Sequence, residues 1–396
     1  MKHHQARGAN LQHHFGANKL CRWSIAHLLL PLAIGFGTLA ACRTSDKPSI
    51  TKDAELAGEY HALPTATQAA WDAYVGQLQS TANLQPACVP IQLRPKTSTP
   101  EQGLVVIFHG FTGCSIQFIN LSRQLAEVGY HVLLPLLPGE GRAPIIKDAA
   151  TLDIKDDLSG MPNTPDGYAH FAEEINALAR TYPGFKVMSG LSGGGAQAMG
   201  CLAQSASDNE GRGLWDRALI LVPFLKIAGI AGRASDIITL SAPGFGAGWG
   251  KECKASQLKP ESERRNGQCD FTIGQAEAME RYGAGAAKNA ANIKTPIQYA
   301  GVVQDPTVNN RAIVRAFDDT GASDKQLCFY PQGVSHAILY EGDYLYPQTR
   351  PWAREVEAMM LAFITAGTLF PSDPTVVQDG GPLCVLSPTA MPPKSS

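Results

Sequence analysis

The leading candidate for a catalytic residue in this sequence is a serine that stands between glycines. Residues 190–194 read GLSGG, after a strand-like run at 185–189 and before helix-forming residues that begin near Ala196. A G-x-S-x-G pattern between a strand and a helix is typical of a tight turn that exposes a serine hydroxyl. The positive N-terminal end of the following helix would face negative charge forming beside Ser192. We therefore predict that Ser192 is a nucleophile; a glycine-rich turn without chemistry is the alternative.

A serine hydroxyl is a weak nucleophile until a base takes its proton, so this turn requires a histidine. The sequence contains ten histidines, and His336 is the only one downstream of Ser192. In turns of this kind the order along the chain is nucleophile, acid, base. His336 follows the strand-like run that ends at Tyr330, so the loop after that strand presents it. We predict His336 as the base, with a surface or capping role as the alternative.

The acid that orients the imidazole should follow the preceding strand-like run, at 297–303. Asp305 lies directly beyond that run, and its carboxylate would hold the histidine tautomer that accepts the serine proton. Three other carboxylates compete for this role but fall in a predicted helix or at its end, where a solvated carboxylate is usual. These competitors are Asp318, Asp319 and Asp324.

Two backbone amides should stabilise the oxyanion that forms when a serine attacks a carbonyl group. One is the amide of Gly193, directly after the nucleophile. The other is expected in the loop after the strand-like run 104–108, where residues 109–113 read HGFTG. Within that loop the amide of Phe111 is the best placed. We predict His109 to be a structural hydrogen-bonding residue and not a second base.

The elements that must position these residues alternate along the chain. Short apolar runs of strand length are separated by segments whose apolar residues recur at helical spacing. The runs lie at 104–108, 131–135, 185–189, 218–224, 297–303 and 326–330. Such alternation is typical of a parallel sheet covered by helices on both faces. Between 227 and 294 the alternation stops for longer than a structureless loop allows, so we predict a cap over the sheet.

Charge and the N-terminal sequence bear on partners and location. The 396 residues include 33 Lys and Arg against 35 Asp and Glu, so the chain offers no broad cationic field for nucleic acid. Residues 1–41 combine basic residues, an apolar run and small residues before Cys42, an export-signal layout whose LAAC ending resembles the bacterial lipoprotein box. We predict a membrane lipoprotein that faces the periplasm or the cell surface. We expect lipid to be attached at Cys42 and a tether to span 42–64. Plain secretion and an uncleaved anchor helix are the alternatives.

Export places the other cysteines in an oxidising compartment, where disulfides form. Cys253 and Cys269 lie in a polar, glycine-rich stretch, and we predict a bridge between them. Cys201 falls on the apolar face of a predicted helix and is expected to be a buried free thiol. The nine cysteines contain no CxxC pair, which argues against a zinc ribbon or a thioredoxin-like site.

Together these motifs resemble the α/β-hydrolase superfamily, and within it the bacterial carboxylesterase and monoacylglycerol-lipase-like branch that overlaps with serine aminopeptidase-type hydrolases. The resemblance is carried by HGFTG at 109–113, LAEVGYHVLLPLLPGEG at 125–141, GLSGGG at 190–195, LVPFLK at 221–226, QDP at 304–306 and VSHAILYE at 334–341. It implies a mostly parallel eight-stranded sheet flanked by helices, with a cap inserted after strand six. It also implies triad roles for Ser192, Asp305 and His336, and oxyanion roles for Phe111 and Gly193.

We place the hydrolase domain at 65–370, its cap at about 228–294 and an extended tail at 371–396. Two positions depart from the family pattern: GEG at 139–141 stands where Gly-His-Gly is common, and Gly193 stands where Met or Leu is usual.

Our first hypothesis is an exported serine esterase that cleaves a small or lipid-like ester without metal or organic cofactor. Its acyl site is predicted to be apolar and lined by Phe111, Phe224, Phe245 and Trp249. A serine peptidase with the same triad and a non-catalytic surface-binding protein on the same fold are the alternatives.

Overall fold

The computed structural model describes residues 59–228, 246–248, 250–259, 266–330, 334–338, 353–367, 377–378 and 381–382. Three residues singled out above, Cys42, Phe245 and Trp249, lie outside these ranges. Among the described residues, no helix combines the length and the apolar character that crossing a bilayer requires.

The strand-like runs of the sequence form one central sheet, which has seven strands in the described part of the chain. In chain order they are β1 (Ile91–Leu93), β2 (Gly103–Phe108), β3 (Tyr130–Leu134), β4 (Lys186–Leu191), β5 (Arg217–Leu221), β6 (Ile297–Val302) and β7 (Lys325–Tyr330). Their order across the sheet is β1-β3-β2-β4-β5-β6-β7, and β1 pairs antiparallel with β3 while the other pairs are parallel.

The described residues contain seven strands of this sheet, where we predicted eight for the whole chain. One short antiparallel strand precedes the parallel strands, and the segment ahead of it, Thr65–Thr81, is helical. The strand that we counted as the sixth of eight is β5 here, so the predicted cap follows β5.

The parallel strands are buried along all or most of their length, with half-buried residues only at the first positions of β5 and β7, which explains their nearly continuous apolar sequences. Every residue of β2 and β4 is buried, as expected for strands covered on both faces. The register aligns Phe108 with Gly190, and Leu191 with Leu221. The carboxyl ends of these strands therefore lie along one edge of the sheet, and the loops that follow them meet there.

Helices cover the sheet, and most of the apolar residues that recur at helical spacing are buried, although Val128, directly after the second helix, is exposed. Leu121 and Leu125 in the second helix, and Ile175 and Leu178 in the third, are all buried. The helices are α1 (Thr65–Thr81), α2 (Ile119–Glu127), α3 (Pro165–Arg180), α4 (Gly193–Gln204), the short α5 (Asp208–Gly211), α6 (Gly250–Gln257), α7 (Ile273–Lys288), α8 (Asn310–Asp319) and α9 (Ala353–Ala366). Two 3₁₀ turns lie at Ser115–Phe118 and Ala290–Asn292.

Helix α7 falls inside the range that we predicted as cap, yet it belongs to the main core. Met279 is fully buried, and the Tyr282 hydroxyl accepts a hydrogen bond from the side-chain Nε2 of Gln197 in α4 at 3.2 Å. The helix starts at a capping box, in which the side chains of Thr272 and Gln275 each accept from the other residue's amide. The excursion away from the sheet is therefore shorter than 228–294.

Within the described ranges, three short antiparallel pairs lie outside the central sheet. Ile145–Asp148 pairs with Asp153–Lys155, Gly246–Gly248 pairs with Asp270–Thr272, and Val377–Gln378 pairs with Gly381–Pro382. The second pair connects the residues just before α6 to the strand that leads into α7.

The last residues of the predicted tether are part of the fold. The amide of His61 donates to the Pro95 carbonyl at 2.8 Å, and Tyr60 forms an isolated bridge with Lys96. Leu63 is buried in the core. Residues 59–61 therefore pair with the segment between β1 and β2, so the last residues of the tether predicted at 42–64 contact the domain.

Disulfides lie on both sides of the loop that follows β2. The predicted bridge between Cys253 and Cys269 is present, and a second one joins Cys88 to Cys114. Cys328 is also disulfide-bonded. Cys201 is a buried free thiol as predicted, and burial raises its pKa to about 12. The thiol is therefore inert at neutral pH, because the thiolate is the reactive form.

Candidate active site

Ser192 stands at the sharp turn between β4 and α4. Its backbone has φ 55° and ψ −115°, a conformation that residues other than glycine rarely adopt. The Ser192 amide donates to the Leu221 carbonyl of β5 at 2.9 Å, and the Ser192 carbonyl accepts from the Phe224 amide at 2.9 Å. These bonds to the neighbouring strand and its loop stabilise the strained turn.

The glycines around Ser192 allow the turn to pack against its surroundings. A Cβ on Gly190 would lie 2.1 Å from the Gly194 carbonyl oxygen, and a Cβ on Gly194 would lie 2.3 Å from the His109 carbonyl oxygen. Neither position accepts a side chain. The turn after β4 is therefore in direct contact with the loop after β2, as the oxyanion prediction requires.

Asp305 lies just beyond the end of β6, with both carboxylate oxygens engaged. Its Oδ1 accepts from the amides of Thr307 at 2.7 Å and Val308 at 3.0 Å. Its Oδ2 lies 2.8 Å from Nδ1 of His336, and the side chain is fully buried. The two backbone donors fix the orientation of the carboxylate toward the imidazole.

His336 lies between Asp305 and Ser192. Its Nδ1 contacts the Asp305 Oδ2 at 2.8 Å, and its Nε2 lies 2.9 Å from the Ser192 Oγ. Because a carboxylate only accepts, Nδ1 carries the proton and Nε2 is left to accept from the serine hydroxyl. The structure therefore brings together the three side chains that the sequence analysis selected, although 144 positions separate Ser192 from His336.

The amides of Phe111 and Gly193 are also neighbours. A Cβ built on Gly193 would lie 3.0 Å from the Phe111 nitrogen and 2.8 Å from its Cβ. Gly193 is the first residue of α4, so its amide has no partner within the helix. The arrangement can present two donors to an oxyanion beside Ser192. The same close approach accounts for glycine at 193, since a Met or Leu side chain would collide with Phe111.

His109 holds the loop that carries Phe111. Its Nε2 accepts from the Leu137 amide at 3.0 Å, and its Nδ1 donates to the Gly110 carbonyl at 2.9 Å, with the Glu140 carboxyl 3.7 Å from Nδ1. Burial lowers the pKa of His109 to about 4, so the ring is neutral near pH 7. The structural role predicted for His109 is therefore observed.

Sequence reasoning missed one further support of this loop. The Gln117 side chain accepts from the Gly110 amide at 2.8 Å and is itself buried. The only signal in the sequence is a polar residue among the apolar positions that follow Cys114.

Three phenylalanine rings border the site. Phe111 is stacked on Phe224 with ring centroids 6.4 Å apart, and Phe271 meets Phe111 edge-on at 5.5 Å. Phe111 and Phe224 were predicted, whereas Phe271, on the strand Asp270–Thr272, was missed. The rings form an apolar wall next to the turn at Ser192. No group of three or more His, Cys, Asp or Glu in the described ranges is arranged to hold a metal ion.

A family model described as serine aminopeptidase, S33, matches residues 99–343. The match covers more than half of the chain and contains the Ser192, Asp305 and His336 positions. The chain belongs to the serine aminopeptidase S33 family of α/β hydrolases. The predicted α/β-hydrolase fold is thereby confirmed. A comparison with curated proteins found no match.

Solved structures similar to this S33 family member include lipolytic enzymes. A monoacylglycerol lipase from Paleococcus ferrophilus has a TM-score of 0.51 and 16% identity, over 70% of this chain and 97% of its own. A soluble variant of monoglyceride lipase from Saccharomyces cerevisiae has a TM-score of 0.51 and 16% identity, over 72% of this chain and 92% of its own. A third structure, described under the metagenome-derived lipolytic enzymes LipS and LipT, has a TM-score of 0.50 and 19% identity, over 71% of this chain and 99% of its own. At these identities the similarity establishes the fold.

Proposed function

We propose that this S33 family member is a serine hydrolase that cleaves carboxylic esters. The observation that carries the proposal is the continuous contact from Asp305 through His336 to Ser192, with both distances below 3 Å. A family member that had lost catalysis would have no reason to keep these three groups aligned at a strained turn.

In the acylation step the Ser192 Oγ attacks the ester carbonyl carbon while the His336 Nε2 takes the hydroxyl proton. The carbonyl oxygen becomes an oxyanion and accepts hydrogen bonds from the amides of Phe111 and Gly193. Asp305 stabilises the imidazolium that forms. When the carbon–oxygen bond to the alcohol breaks, His336 returns the proton to the alcohol, and the acyl group stays on Ser192.

In deacylation, water takes the place of the Ser192 hydroxyl as the nucleophile that His336 activates. His336 takes a proton from water, the resulting hydroxide attacks the acyl carbonyl, and the same two amides bind the second oxyanion. Collapse of this intermediate releases the carboxylic acid, and the proton on His336 returns to the Ser192 Oγ. Each proton taken by Nε2 is returned, so the cycle needs no further co-reactant.

The apolar wall favours a substrate whose acyl group is of short or medium length and contacts Phe111 and Phe271. The lipolytic names of the similar structures favour an ester or lipid-like substrate. The description of the family model supports a second candidate, a serine aminopeptidase. Acyl transfer to water proceeds through the same steps for an ester and for an amide, so the two candidates differ in the leaving group.

Labelling with a fluorophosphonate tests the nucleophile. We expect the wild-type protein to be labelled and Ser192→Ala to be unlabelled. Ser189→Ala is the matched control, because Ser189 is a buried serine on the strand that leads into the Ser192 turn and should leave labelling intact. A folded wild-type protein without labelling and without turnover of p-nitrophenyl esters would favour the non-catalytic binding protein.

A panel of substrates tests the reaction class. Esters of graded acyl length are compared with an aminoacyl p-nitroanilide, and we expect turnover of the esters alone. Anilide turnover that exceeds ester turnover would support the peptidase. His336→Ala should lower kcat on the best ester by roughly 10⁴-fold, with the melting temperature nearly unchanged.

We also propose export and lipidation at Cys42, on the strength of the signal layout in residues 1–41. The lipid would hold the enzyme at a membrane, where lipid-like esters are concentrated.

A further inference from the structure

A short segment of the chain lies directly on the loop that carries the Phe111 amide. We call residues 109–114 the oxyanion loop and residues 266–269 the strap. The strap amide of Gln268 donates to the Thr112 carbonyl at 2.9 Å. Gly267 has a φ of +107°, and a Cβ there would lie 2.3 Å from the Thr112 oxygen and 2.8 Å from the Gly113 oxygen. Glycine at 267 is therefore what lets the strap approach the loop this closely.

The side chain of Gln85 supports the strap in this position, together with Gln257, whose Nε2 donates to the Gly267 carbonyl at 3.3 Å. Its Nε2 donates to the Gly267 carbonyl at 2.9 Å, and its Oε1 accepts from the Gly267 amide at 3.3 Å. The same Nε2 donates to the Arg142 carbonyl at 3.0 Å, and Gln85 is buried. One side-chain amide thus pairs with both backbone groups of Gly267, as an adjacent strand would.

The segment that contains Gln85 also holds the far end of the oxyanion loop. The Cys88 amide donates to the Gln85 carbonyl at 2.9 Å, and Cys88 forms the disulfide with Cys114. The contacts close a ring that runs from Gln85 through the strap, the oxyanion loop and the disulfide back to Gln85. Thr112 lies in this ring with a φ of 63° and is fully buried. Such a backbone conformation persists only where its surroundings fix it.

We propose that Gln85 is a positioning residue for the oxyanion hole and acts through Gly267 and Thr112 on the Phe111 amide. The inference rests on the proposed function, which assigns that amide to the oxyanion. Gln85 touches no reacting atom. Because the amide is needed where charge develops and not for first binding of the ester, a displaced loop lowers kcat and leaves KM nearly unchanged.

The test compares Gln85→Met with Thr295→Val. Met keeps the approximate volume of glutamine and removes all three side-chain hydrogen bonds. Thr295→Val removes one buried hydrogen bond, to the Trp215 carbonyl at 3.0 Å, at the amino end of the sheet. Both variants lose buried hydrogen bonds, but only the first touches the strap.

We expect Gln85→Met to lower kcat on p-nitrophenyl acetate by roughly 10- to 100-fold, as a displacement of about 1 Å does. The acetyl ester is used because its short acyl group makes the least contact with the Phe111 ring, which the same loop carries, so KM should stay within about twofold of the wild-type value. Inhibition by a trifluoromethyl ketone, whose serine adduct carries an oxyanion, should weaken by a similar factor to kcat. Thr295→Val should leave all three quantities unchanged.

Wild-type kcat and ketone affinity in a folded Gln85→Met would overturn the inference. If that variant does not fold, Gly267→Ala is tested in its place, because the added Cβ would displace Thr112. It should show the same loss of kcat at unchanged KM. An unchanged kcat would again overturn the inference. A wild-type protein that is not labelled by fluorophosphonate refutes the proposed function instead, so the two failures are distinguishable.

Discussion

Gly193 is the residue at which this site departs most visibly from the family pattern, and its neighbours give a reason. The Phe111 backbone lies so close that a Cβ at 193 would sit 2.8 Å from the Phe111 Cβ. The absence of a side chain here goes together with a tightly packed oxyanion loop.

Gly193→Leu restores a residue that is usual in the family, and we expect it to impair this enzyme. The leucine must push Phe111 and its amide away, so ester kcat should fall roughly 100-fold, as it does when one oxyanion donor is lost. Steady-state kinetics with a thermal melt as the folding control measures this. Wild-type kcat in a folded variant would contradict the close approach of the two residues.

His109 makes the stability of the protein depend on pH. Its Nε2 accepts from Leu137, and burial lowers its pKa to about 4, below the 6.5 of an unfolded histidine. Between these values the unfolded chain binds more protons, so the free energy of unfolding falls as pH drops from 6.5 to 4. This single residue should contribute on the order of 3 kcal/mol to that loss.

The measurement is urea unfolding of wild type and His109→Gln between pH 7 and pH 4.5. Glutamine can still accept from the Leu137 amide but takes up no proton. The variant should therefore lose less stability over this interval than the wild type. Parallel curves for the two proteins would show that His109 does not titrate as its buried position requires.

At the scale of elements, the sequence predicted those features that depend on a local repeat of apolar residues or on the end of a strand. The parallel strands follow from short apolar runs, and Ser192, Asp305 and His336 follow from their places after those runs. Gln85 and Gly267 form a contact across 182 positions, and no periodicity links them. Likewise, the sequence of α7 is amphipathic and glycine-containing and gives no sign that this part of the range predicted as cap packs on the core; its contacts with α4 show it.

The strand Asp270–Thr272 contributes the ring of Phe271 to the apolar wall of the site. Its ring meets Phe111 edge-on, so Phe271→Ala should open the apolar wall. We expect the ratio of kcat/KM for hexanoyl over acetyl p-nitrophenyl esters to fall about tenfold, because roughly 1.4 kcal/mol of apolar contact is lost. Phe317→Ala serves as the control, since that ring packs on Tyr299. An unchanged ratio would remove Phe271 from the acyl site.

At the scale of the whole molecule, the proposed lipid anchor is testable without reference to catalysis. In a bacterial host, Cys42→Ser should move the protein from the membrane fraction to the soluble fraction or leave it with an unprocessed signal. The mature wild type should have the mass of a chain that begins at Cys42 plus its lipid. A mature mass without lipid would support plain secretion, while a retained segment 1–41 would support an uncleaved anchor.

Two disulfides lie beside the oxyanion loop. Cys114 ends the loop, and Cys269 ends the strap that lies on it. Under the export that we propose, both bridges would form in an oxidising compartment. We therefore predict that the reduced protein holds the oxyanion loop less firmly than the oxidised protein and turns over esters more slowly, which would make the enzyme latent until its thiols are oxidised.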